Sequence, residues 1–369
     1  MINNLISNQI NDNHLKLVDH NNFFKKKIIS CEVCNSKSFK LFQNIGRVGI
    51  AGDYGLLKIV ICNNCSFKFS NPRYVDEFYL KYYKKNYRKI AFGNYKPSKF
   101  YVQNQIVRGE AILNHFKKKI NFGYMLDHGC ASGATMIPWR SAGWSTFGID
   151  PHIPSVEFGK KKYKLNIKAN FGEKLDFKSN FFDVVMSLGS LEHSYDVNKT
   201  LKEIKRALKL NGHMIIRWRS DKMIGSPLEY YNHNHYRFFT RKTLEKLLVK
   251  YNMKIISTTK KPLEGYKSYQ YTLVKNVKTI NKKIKNSKTD VKEHLDSHKR
   301  YLNKYLNLCI KIDKIRNNKD IIGKLENEII INNKVNLLAI PKKEALKRFF
   351  FETKKFLELV KKYNLIDEN

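Results

Sequence analysis

Four of the six cysteines fall into two closely spaced pairs. Cys31 pairs with Cys34 and Cys62 with Cys65, each in a Cys-x-x-Cys turn. Such a turn can direct two thiolates at one ion, and two turns complete the tetrahedral four-sulfur shell that suits Zn(II). A redox dithiol is the alternative, but neither pair lies in the strand-to-helix pattern of a redox motif. We therefore predict a closed, structural zinc site.

A glycine-containing turn followed by an aspartate predicts a site for a nucleoside. The turn at residues 127–133 reads D-H-G-C-A-S-G and lies between a strand pattern and a helical pattern. Glycines there let the backbone approach a ligand, and a helix N-terminus favours negative charge. Asp150 ends the next predicted strand, where a carboxylate can accept both ribose hydroxyls. A dinucleotide motif fits poorly, because the positions of its three glycines read G-x-A-x-x-A.

Three histidines, His193, His233 and His235, are candidate catalytic bases. An unperturbed imidazole titrates near about pH 6.5, so it can remove a proton at physiological pH. Each histidine could instead only orient a loop through a hydrogen bond. Tyr230 and Tyr231, close to His233 in the sequence, could line the pocket for a substrate or could pack in the protein interior.

The candidate residues require a scaffold that brings strand ends together. Between residues 124 and 274, short apolar runs alternate with amphipathic helical stretches, which is typical of a parallel sheet flanked by helices. We predict strands at residues 124–127, 145–149, 183–187, 213–218, 254–259 and 270–274. The apolar run at 56–61, preceded by several glycines, predicts a hairpin between the two cysteine pairs.

Shifts in composition predict five regions along the chain. They are a flexible, Asn-rich tail at 1–20, a zinc-binding lobe at 21–74, an aromatic-rich helical connector at 75–120, an α/β core at 121–275 and a Lys-rich helical extension at 276–369.

Composition excludes some classes of protein and leaves others open. With 42% hydrophobic and 13% aromatic residues among 369, the chain has enough apolar material for packed cores. No stretch approaches the ~18 apolar residues of a membrane span, and the first residues do not resemble a secretion signal, so we expect a cytoplasmic protein. The net charge of +38 makes nucleic acid a possible partner.

The order and spacing of several motifs resemble those of class I S-adenosylmethionine-dependent methyltransferases. These motifs are D-x-G-x-x-x-G at 127–133, G-I-D at 148–150, F-D-V-V at 182–185, L-E-H at 191–193, L-K-L-N-G-H-M-I-I at 208–216 and H-Y-R-F-F-T at 235–240. The resemblance covers residues 124–274 and implies a Rossmann-like α/β sheet that binds S-adenosylmethionine. The family's first motif has a further glycine where this chain has Ala131.

The zinc lobe joined to this core further resembles bacterial methyltransferases of sugar and surface-polysaccharide biosynthesis, including the sugar C-methyltransferases. The C-terminal Rossmann-like half of the C-methyltransferases has no counterpart after residue 275. Transfer to carbon, oxygen or nitrogen therefore stays open.

The resemblance implies a set of cofactor contacts. The methionine end would lie against Asp127, Gly129, Cys130, Ala131 and Gly133. Asp150 would hold the ribose. The adenine would lie against residues 170–173, with Glu173 as the favoured contact, and Leu188 and Gly189 would line the sulfonium.

Arg217 and Arg219 carry the prediction about the acceptor. They end the fifth predicted strand, at the edge of the sheet where ligands bind. Two cations there suit a diphosphate or a carboxylate on the acceptor. A surface ion pair with Asp221 or Glu229 is the competing interpretation.

We predict methyl transfer to a small-molecule acceptor, a nucleotide-linked sugar or a glycan in surface polysaccharide biosynthesis. One alternative is an RNA (tRNA or rRNA) methyltransferase. It rests on charge alone, because the chain has neither a Pro-Cys nucleophile nor an Asn/Asp-Pro-Pro-Tyr/Phe motif. A non-catalytic zinc scaffold is the other alternative. The sequence does not predict the acceptor atom or the oligomeric state.

Overall fold

The computed structural model describes residues 26–47, 54–92, 95–219, 230–263, 269–281 and 289–315, together with residues 354, 357 and 358. The predicted tail at 1–20 lies outside these residues. So does the predicted extension, apart from 276–281, 289–315 and the three single residues. Asp221 and Glu229, the alternative partners of the arginine pair, lie outside them as well.

Thirteen strands are present among the described residues. In chain order they are β1 (Lys26–Lys27), β2 (Phe39–Arg47), β3 (Tyr54–Cys62), β4 (Lys68–Ser70), β5 (Arg73–Tyr74), β6 (Tyr124–His128), β7 (Ser145–Asp150), β8 (Ile167–Ala169), β9 (Phe182–Leu188), β10 (Leu208–Arg219), β11 (Arg237–Phe238), β12 (Met253–Thr258) and β13 (Tyr269–Asn276).

Eight α-helices accompany them in the part of the chain that the structure describes. They are α1 (Asp76–Lys81), α2 (Tyr87–Phe92), α3 (Lys99–Phe116), α4 (Ile137–Ser141), α5 (Ile153–Tyr163), α6 (Val197–Ala207), α7 (Arg241–Val249) and α8 (Thr289–Ile315). A π-helical segment, Tyr82–Asn86, joins α1 to α2, and a 3-10 turn, Ala134–Met136, precedes α4.

The central sheet has seven strands in the order β8-β7-β6-β9-β10-β13-β12. Strands β6 to β10 are parallel, whereas β13 is antiparallel to both of its neighbours. The six predicted strands are confirmed, and the α/β fold with them. The sequence analysis missed β8, because three residues with only Ile167 buried give no recognisable period.

Helices cover both faces of this sheet. Val184 and Met186 of β9 pack with residues of α3, α4 and α5, whereas Val185 faces the opposite side and packs with residues of α6 and α7. Successive strand residues point to opposite faces, so a strand covered on both sides is apolar throughout. This explains why Val184, Val185 and Met186 of β9 form an uninterrupted apolar run in the sequence.

The N-terminal lobe is built on a second sheet of four strands, in the order β2-β3-β4-β11. Its β2–β3 hairpin confirms the prediction for the segment between the cysteine pairs. Its fourth strand, β11, follows the central sheet's β10 in the chain and pairs with β4. Lobe side chains such as Phe67 belong to the same buried cluster as α6 and α7. The lobe is therefore packed onto the core.

The connector and the first helix of the extension pack against this assembly. Phe78, Tyr79, Tyr82 and Tyr83 are buried in an aromatic cluster, so their helical spacing reflects packing. In α8, His298 stacks on Phe42 of the lobe, with 4.2 Å between ring centroids. No described helix has both the length and the apolar character needed to cross a bilayer.

Candidate active site

The structure brings the four paired cysteines together. The Sγ atoms of Cys31 and Cys65 lie 3.5 Å apart, as do those of Cys34 and Cys62. All four sulfur atoms lie within 4.8 Å of one another. Two turns that are distant in the sequence thus form one four-sulfur cluster, as their spacing predicts.

The second candidate site lies at the carboxyl ends of β6, β7, β9 and β10. β6 pairs with β7 on one side and with β9 on the other. The strand order therefore reverses at β6, with β7 and β8 on one side and β9 and β10 on the other. A crevice forms at such a point in parallel sheets, and ligands bind there. Every residue predicted to bind the cofactor belongs to one of these strand ends or to a loop that follows a strand on this side of the sheet.

The turn after β6 is held in an unusual backbone conformation. Gly129 and Gly133 have φ angles of +78° and +71°, and Ala131 takes +50° between them. A Cβ on Gly129 would lie 2.5 Å from the Cβ of Ser190, so only glycine fits. Ala131 tolerates the left-handed region at a cost of ~1–2 kcal/mol. The turn is therefore preserved although the middle glycine of the family motif is missing.

Asp150 supports this turn. Its Oδ2 accepts the backbone N–H of Ala131, and its Oδ1 accepts that of His152, both at 2.8 Å. Each carboxylate oxygen has two lone pairs, so both can still accept a ribose hydroxyl. Cys130 is buried and its backbone N–H donates to the Ile149 carbonyl, so its contribution to the turn is packing.

Asp127 feels the charge of Arg108, a residue that was not predicted to belong to the site. Both carboxylate oxygens of Asp127 are buried and have no hydrogen-bond partner among the described residues. Burial and the Asp150 carboxylate raise the pKa of Asp127 to about 7, and the charge of Arg108 opposes this rise. A buried carboxylate and a buried guanidinium whose charges interact suit a ligand that carries an ammonium and a carboxylate. The amino-acid end of S-adenosylmethionine is such a ligand.

Helix α3 sets the position of Arg108. Arg108 Nη1 donates to Gln105 Oε1 at 3.1 Å, and the same oxygen accepts the Thr135 hydroxyl at 2.9 Å. A Cβ on Gly109 would lie 2.1 Å from the Thr135 carbonyl oxygen, so the helix approaches the turn closely. No local signal marks Arg108, because it lies in an ordinary amphipathic helix.

The segment predicted to contact adenine presents an aromatic ring and a carboxylate. Phe171 packs edge-on against Tyr195, with 6.0 Å between ring centroids. Glu173 Oε1 accepts the backbone N–H of Asp196 at 3.2 Å, so this side chain also anchors the loop before α6. Its role in binding adenine stays a prediction.

The loop after β9 is hydrogen-bonded to the end of β6, where the glycine-containing turn begins. Gly189 has a φ angle of +78°, and its N–H donates to the carbonyl of Arg217 at 2.9 Å. Ser190 Oγ donates to the His128 carbonyl and also contacts His128 Nδ1 at 3.0 Å. Burial lowers the pKa of His128 to about 4, so this histidine is neutral. Leu188 and Gly189 are thereby fixed against the turn, where the resemblance places the sulfonium.

A cluster of three titratable groups follows this loop. One carboxylate oxygen of Glu192, one ring nitrogen of His193 and one ring nitrogen of His235 lie within 4.8 Å of one another. Burial raises the pKa of Glu192 to about 7, against the opposing charges of Arg217 and Arg219. The sequence analysis quoted Glu192 within a motif but gave it no role. Its position beside His193 was the available signal.

The other histidine candidate is used differently. His233 is buried, and its Nε2 contacts the Tyr82 hydroxyl at 3.2 Å. His193 Nδ1 contacts the hydroxyl of Tyr83, the next residue, at 3.1 Å. Two adjacent connector tyrosines thus hold two of the three histidines.

The arginine pair lies beside the cluster of Glu192 and the two histidines. Arg217 is buried rather than on the surface, and its Cζ lies 3.4 Å from the ring centroid of Tyr269. Arg219 lies over the ring of Tyr230, with 5.1 Å between Cζ and the ring centroid. Arg219, Tyr230, Glu192 and His235 line one cavity.

Tyr231 lies apart from the lining of that cavity. It packs against Phe42 and Phe238 in the cluster beneath the lobe. Its predicted contact with substrate stays a prediction.

The matched family agrees with this geometry. Residues 126–216, from the third residue of β6 to Ile216 in β10, match the family described as a methyltransferase domain. This part of the chain is therefore similar to a methyltransferase domain. They include the turn, Asp150, Glu192 and His193, but neither His235 nor the lobe.

Curated relatives with related sequences are methyltransferases by name. Over 129 residues the chain is 31% identical to a ubiquinone biosynthesis O-methyltransferase of Pelagibacter ubique, covering 33% of this chain and 53% of that protein. Over 136 residues it is 27% identical to a sterol 4-C-methyltransferase of Caenorhabditis elegans, covering 34% of this chain and 41% of that protein. The chain thus spans about half the length of these relatives.

Among solved structures, the PH0226 protein of Pyrococcus horikoshii shares 22% identity at a TM-score of 0.41, covering 53% of this chain and 99% of that chain. Neither curated relative described above is named for sugar or polysaccharide biosynthesis.

Proposed function

We propose that this protein transfers a methyl group from S-adenosylmethionine to a small-molecule acceptor. The observation that carries the proposal is the buried Asp127 carboxylate, which has no hydrogen-bond partner among the described residues and lies one strand away from Asp150. The charge of Arg108 also acts on this carboxylate. Asp127 and Arg108 would hold the ammonium and the carboxylate of the methionine end. Asp150 would accept the ribose hydroxyls. When bound, the cofactor supplies an electrophilic methyl group, and its sulfur keeps the electron pair of the broken C–S bond.

The protein's own part in the reaction is alignment, exclusion of water and proton removal. If the acceptor atom is a hydroxyl oxygen, its proton must leave as the new bond forms. Glu192, His193 and His235 are the groups that can take it, since they gather beside Gly189. A Cβ on Gly189 would lie 3.4 Å from Glu192 Oε1 and 3.5 Å from Arg217 Nη1. Arg217 thereby places positive charge next to the reacting region.

The acceptor carries an anionic group in this proposal. Arg217 and Arg219 offer two guanidinium groups near the cavity that Tyr230 lines, and arginine forks bind phosphate and carboxylate in two-pronged geometry. A nucleotide-linked sugar or a glycan of surface polysaccharide biosynthesis fits this charge. The relative named for ubiquinone biosynthesis O-methylation favours a second candidate acceptor, a hydroxyl group, and the two arginines favour one whose molecule also carries a carboxylate.

Zn(II) is the ion that we assign to the four-cysteine cluster. In a tetrahedral site with Zn–S bonds of ~2.3 Å, sulfur atoms lie about 3.8 Å apart. The two measured Sγ separations of 3.5 Å approach this value. Four thiolates leave no open coordination position, so the ion would stabilise the lobe.

The deciding experiment is an acceptor screen with isotopically labelled S-adenosylmethionine. Nucleotide-linked sugars, glycans, carboxylated phenols and bulk tRNA are incubated with wild type and with Asp150→Ala. We expect label in one class of small molecule with wild type only. Label in tRNA would identify RNA, rather than a small molecule, as the acceptor. No binding of S-adenosylhomocysteine by wild type would contradict the proposal as a whole.

A further inference from the structure

The turn at residues 232–235 fixes the proton on His235. Asn232 Oδ1 accepts the backbone N–H groups of Asn234 at 3.1 Å and of His235 at 3.2 Å. Two backbone donors identify this atom as the amide oxygen, so the atom that faces His235 Nδ1 at 3.0 Å is the NH₂ group. An NH₂ group can only donate. Nδ1 of His235 therefore accepts, and the hydrogen of the neutral ring lies on Nε2.

The hydroxyl of Tyr83 fixes the opposite arrangement on His193. This oxygen contacts the Asn234 carbonyl at 3.2 Å, the Tyr236 hydroxyl at 2.9 Å and His193 Nδ1 at 3.1 Å. A hydroxyl has one hydrogen and two lone pairs. Because a carbonyl can only accept, the Tyr83 hydrogen goes to Asn234, and the other two groups donate to Tyr83. Nδ1 of His193 then carries the hydrogen.

Burial supports this count of hydrogens. Tyr83 is 7% exposed and Tyr236 1% exposed, and burial raises the pKa of both hydroxyls far above 10. Both tyrosines therefore keep their hydrogens at physiological pH. The three contacts of Tyr83 use its full capacity of one donor and two acceptor positions, so no second arrangement makes all three hydrogen bonds.

We propose that Tyr83 and Asn232 are positioning residues that give His193 and His235 opposite tautomers. This inference rests on the proposed function for its catalytic meaning. His193 has its lone pair on Nε2 and is the base. His235 has a hydrogen on Nε2 and donates to an oxygen of the acceptor. The two rings lie together, with 4.7 Å between their centroids.

His233 is assigned a structural role by the same reasoning. The Tyr82 hydroxyl donates to Asn234 Oδ1 at 2.5 Å, so His233 Nε2 donates to Tyr82. Asn234 thus receives the hydrogens of both connector tyrosines, one on its side chain and one on its backbone. His233 anchors the turn to the π-helical segment.

In the step itself, the acceptor O–H proton would pass to His193 Nε2 and its electron pair would stay on the acceptor oxygen. That pair would form the new bond to the methyl group, while the pair of the broken C–S bond would stay on the cofactor's sulfur. The resulting imidazolium keeps its Nδ1–H bond to Tyr83, which strengthens once the donor is charged. The proton then leaves to solvent and restores the neutral ring.

The tautomers can be read directly from ring nitrogen-15 resonances of wild type labelled in histidine. Spectra are recorded at pH 8, about 1.5 units above the usual histidine pKa. The 11 histidines are assigned with variants such as His193→Gln and His235→Gln. We expect Nδ1 of His193 in the N–H range and Nδ1 of His235 in the lone-pair range. Either resonance in the other range overturns the proposal.

Two variants test the positioning residues. Asn232→Asp keeps the oxygen that accepts both backbone N–H groups but replaces NH₂ by an acceptor. His235 Nδ1 should then shift from the lone-pair range to the N–H range, while Asn198→Asp, which lies on α6, leaves it unmoved. Tyr83→Phe should shift the His193 nitrogens toward an average of two tautomers. Tyr79→Phe, in the same aromatic cluster but bonded to the Tyr74 N–H, is its control. Unchanged spectra in folded variants would contradict the proposal.

The kinetic consequence separates this inference from the proposed function. Once an acceptor is found, Tyr83→Phe should lower kcat roughly tenfold and leave KM unchanged, because binding groups remain intact. Equal effects of Tyr83→Phe and Tyr79→Phe on kcat would contradict a positioning role. Wild type with the expected tautomers but no affinity for S-adenosylhomocysteine would instead defeat the proposed function and leave the tautomer assignment standing.

Discussion

Glu32 and Arg237 lie 205 positions apart in the sequence, yet Arg237 Nε donates to Glu32 Oε2 at 2.8 Å in the buried interior. Glu32 lies inside the first Cys-x-x-Cys turn. Arg237 also donates to the carbonyls of Leu191 and Ser194, which flank Glu192 and His193. A single carboxylate–guanidinium pair thus connects the cysteine cluster to the turn that carries the candidate base.

Glu32→Gln is expected to destabilise the protein by ~3–5 kcal/mol, because it leaves the buried guanidinium groups of Arg73 and Arg237 without their counter-charge. Urea unfolding followed by circular dichroism measures the loss. Glu203→Gln is the matched control, since its partner Arg206 is partly exposed, and it should cost less than ~1 kcal/mol. Similar losses of unfolding free energy in both variants would show that the buried ion pair contributes no more to stability than the partly exposed one.

Asp150→Ala should weaken S-adenosylhomocysteine binding by roughly 10- to 100-fold, because hydrogen bonds to a charged acceptor contribute ~1.5–3 kcal/mol each. Isothermal titration calorimetry gives the Kd. Glu157→Ala removes an exposed carboxylate on α5 that pairs with Lys160, and its affinity should match wild type. An unchanged Kd in Asp150→Ala would contradict the assignment of Asp150 to the ribose hydroxyls.

Cofactor binding should weaken as the pH falls below about 7. Asp127, whose pKa is raised to about 7, is protonated below that pH and must lose its proton to pair with the cofactor's ammonium group. Affinity should therefore fall by up to about tenfold per pH unit between pH 7 and pH 6, with release of one proton. Titrations in buffers of different ionisation enthalpy measure that proton. Asp127→Asn should flatten the pH dependence of the affinity. If the variant keeps the slope of wild type, a group other than Asp127 causes the pH dependence.

Metal analysis of the purified protein should find about one zinc ion per chain. Cys31→Ser should lose the metal and expose the lobe to proteolysis, because metal binding and folding of such lobes are coupled. Cys309→Ser, at a buried cysteine on α8, should keep the metal. A metal-free wild type with an intact lobe would contradict the assignment of Zn(II).

Several features were predictable because their signals are local. The central strands β9 and β10 carry short apolar runs, Val184–Met186 and Met214–Ile216, since both faces of the sheet are covered there. Cys31 and Cys34 share a turn, so their spacing alone indicates a common ligand. Asp150 follows its strand directly, and the parallel order of such strands brings it to the turn at Gly129.

Other features have no local signature. Arg108 lies in an amphipathic helix, and only the packing of α3 against the turn lets its charge act on Asp127. Tyr83 and His193 are 110 positions apart, and their hydroxyl–imidazole contact exists because the connector folds over the loop after β9.

The sequence by itself determined the class of fold, the cysteine cluster and the glycine-containing turn after β6, because residue type, period and spacing specify them over short distances. Only the tertiary structure decided that β11 completes the lobe's sheet, that Glu32 reaches Arg237, and which ring nitrogens of His193 and His235 carry hydrogen. Each of these depends on pairing between distant segments. The partners of a buried polar group are set by how whole elements pack, and composition or spacing cannot specify them.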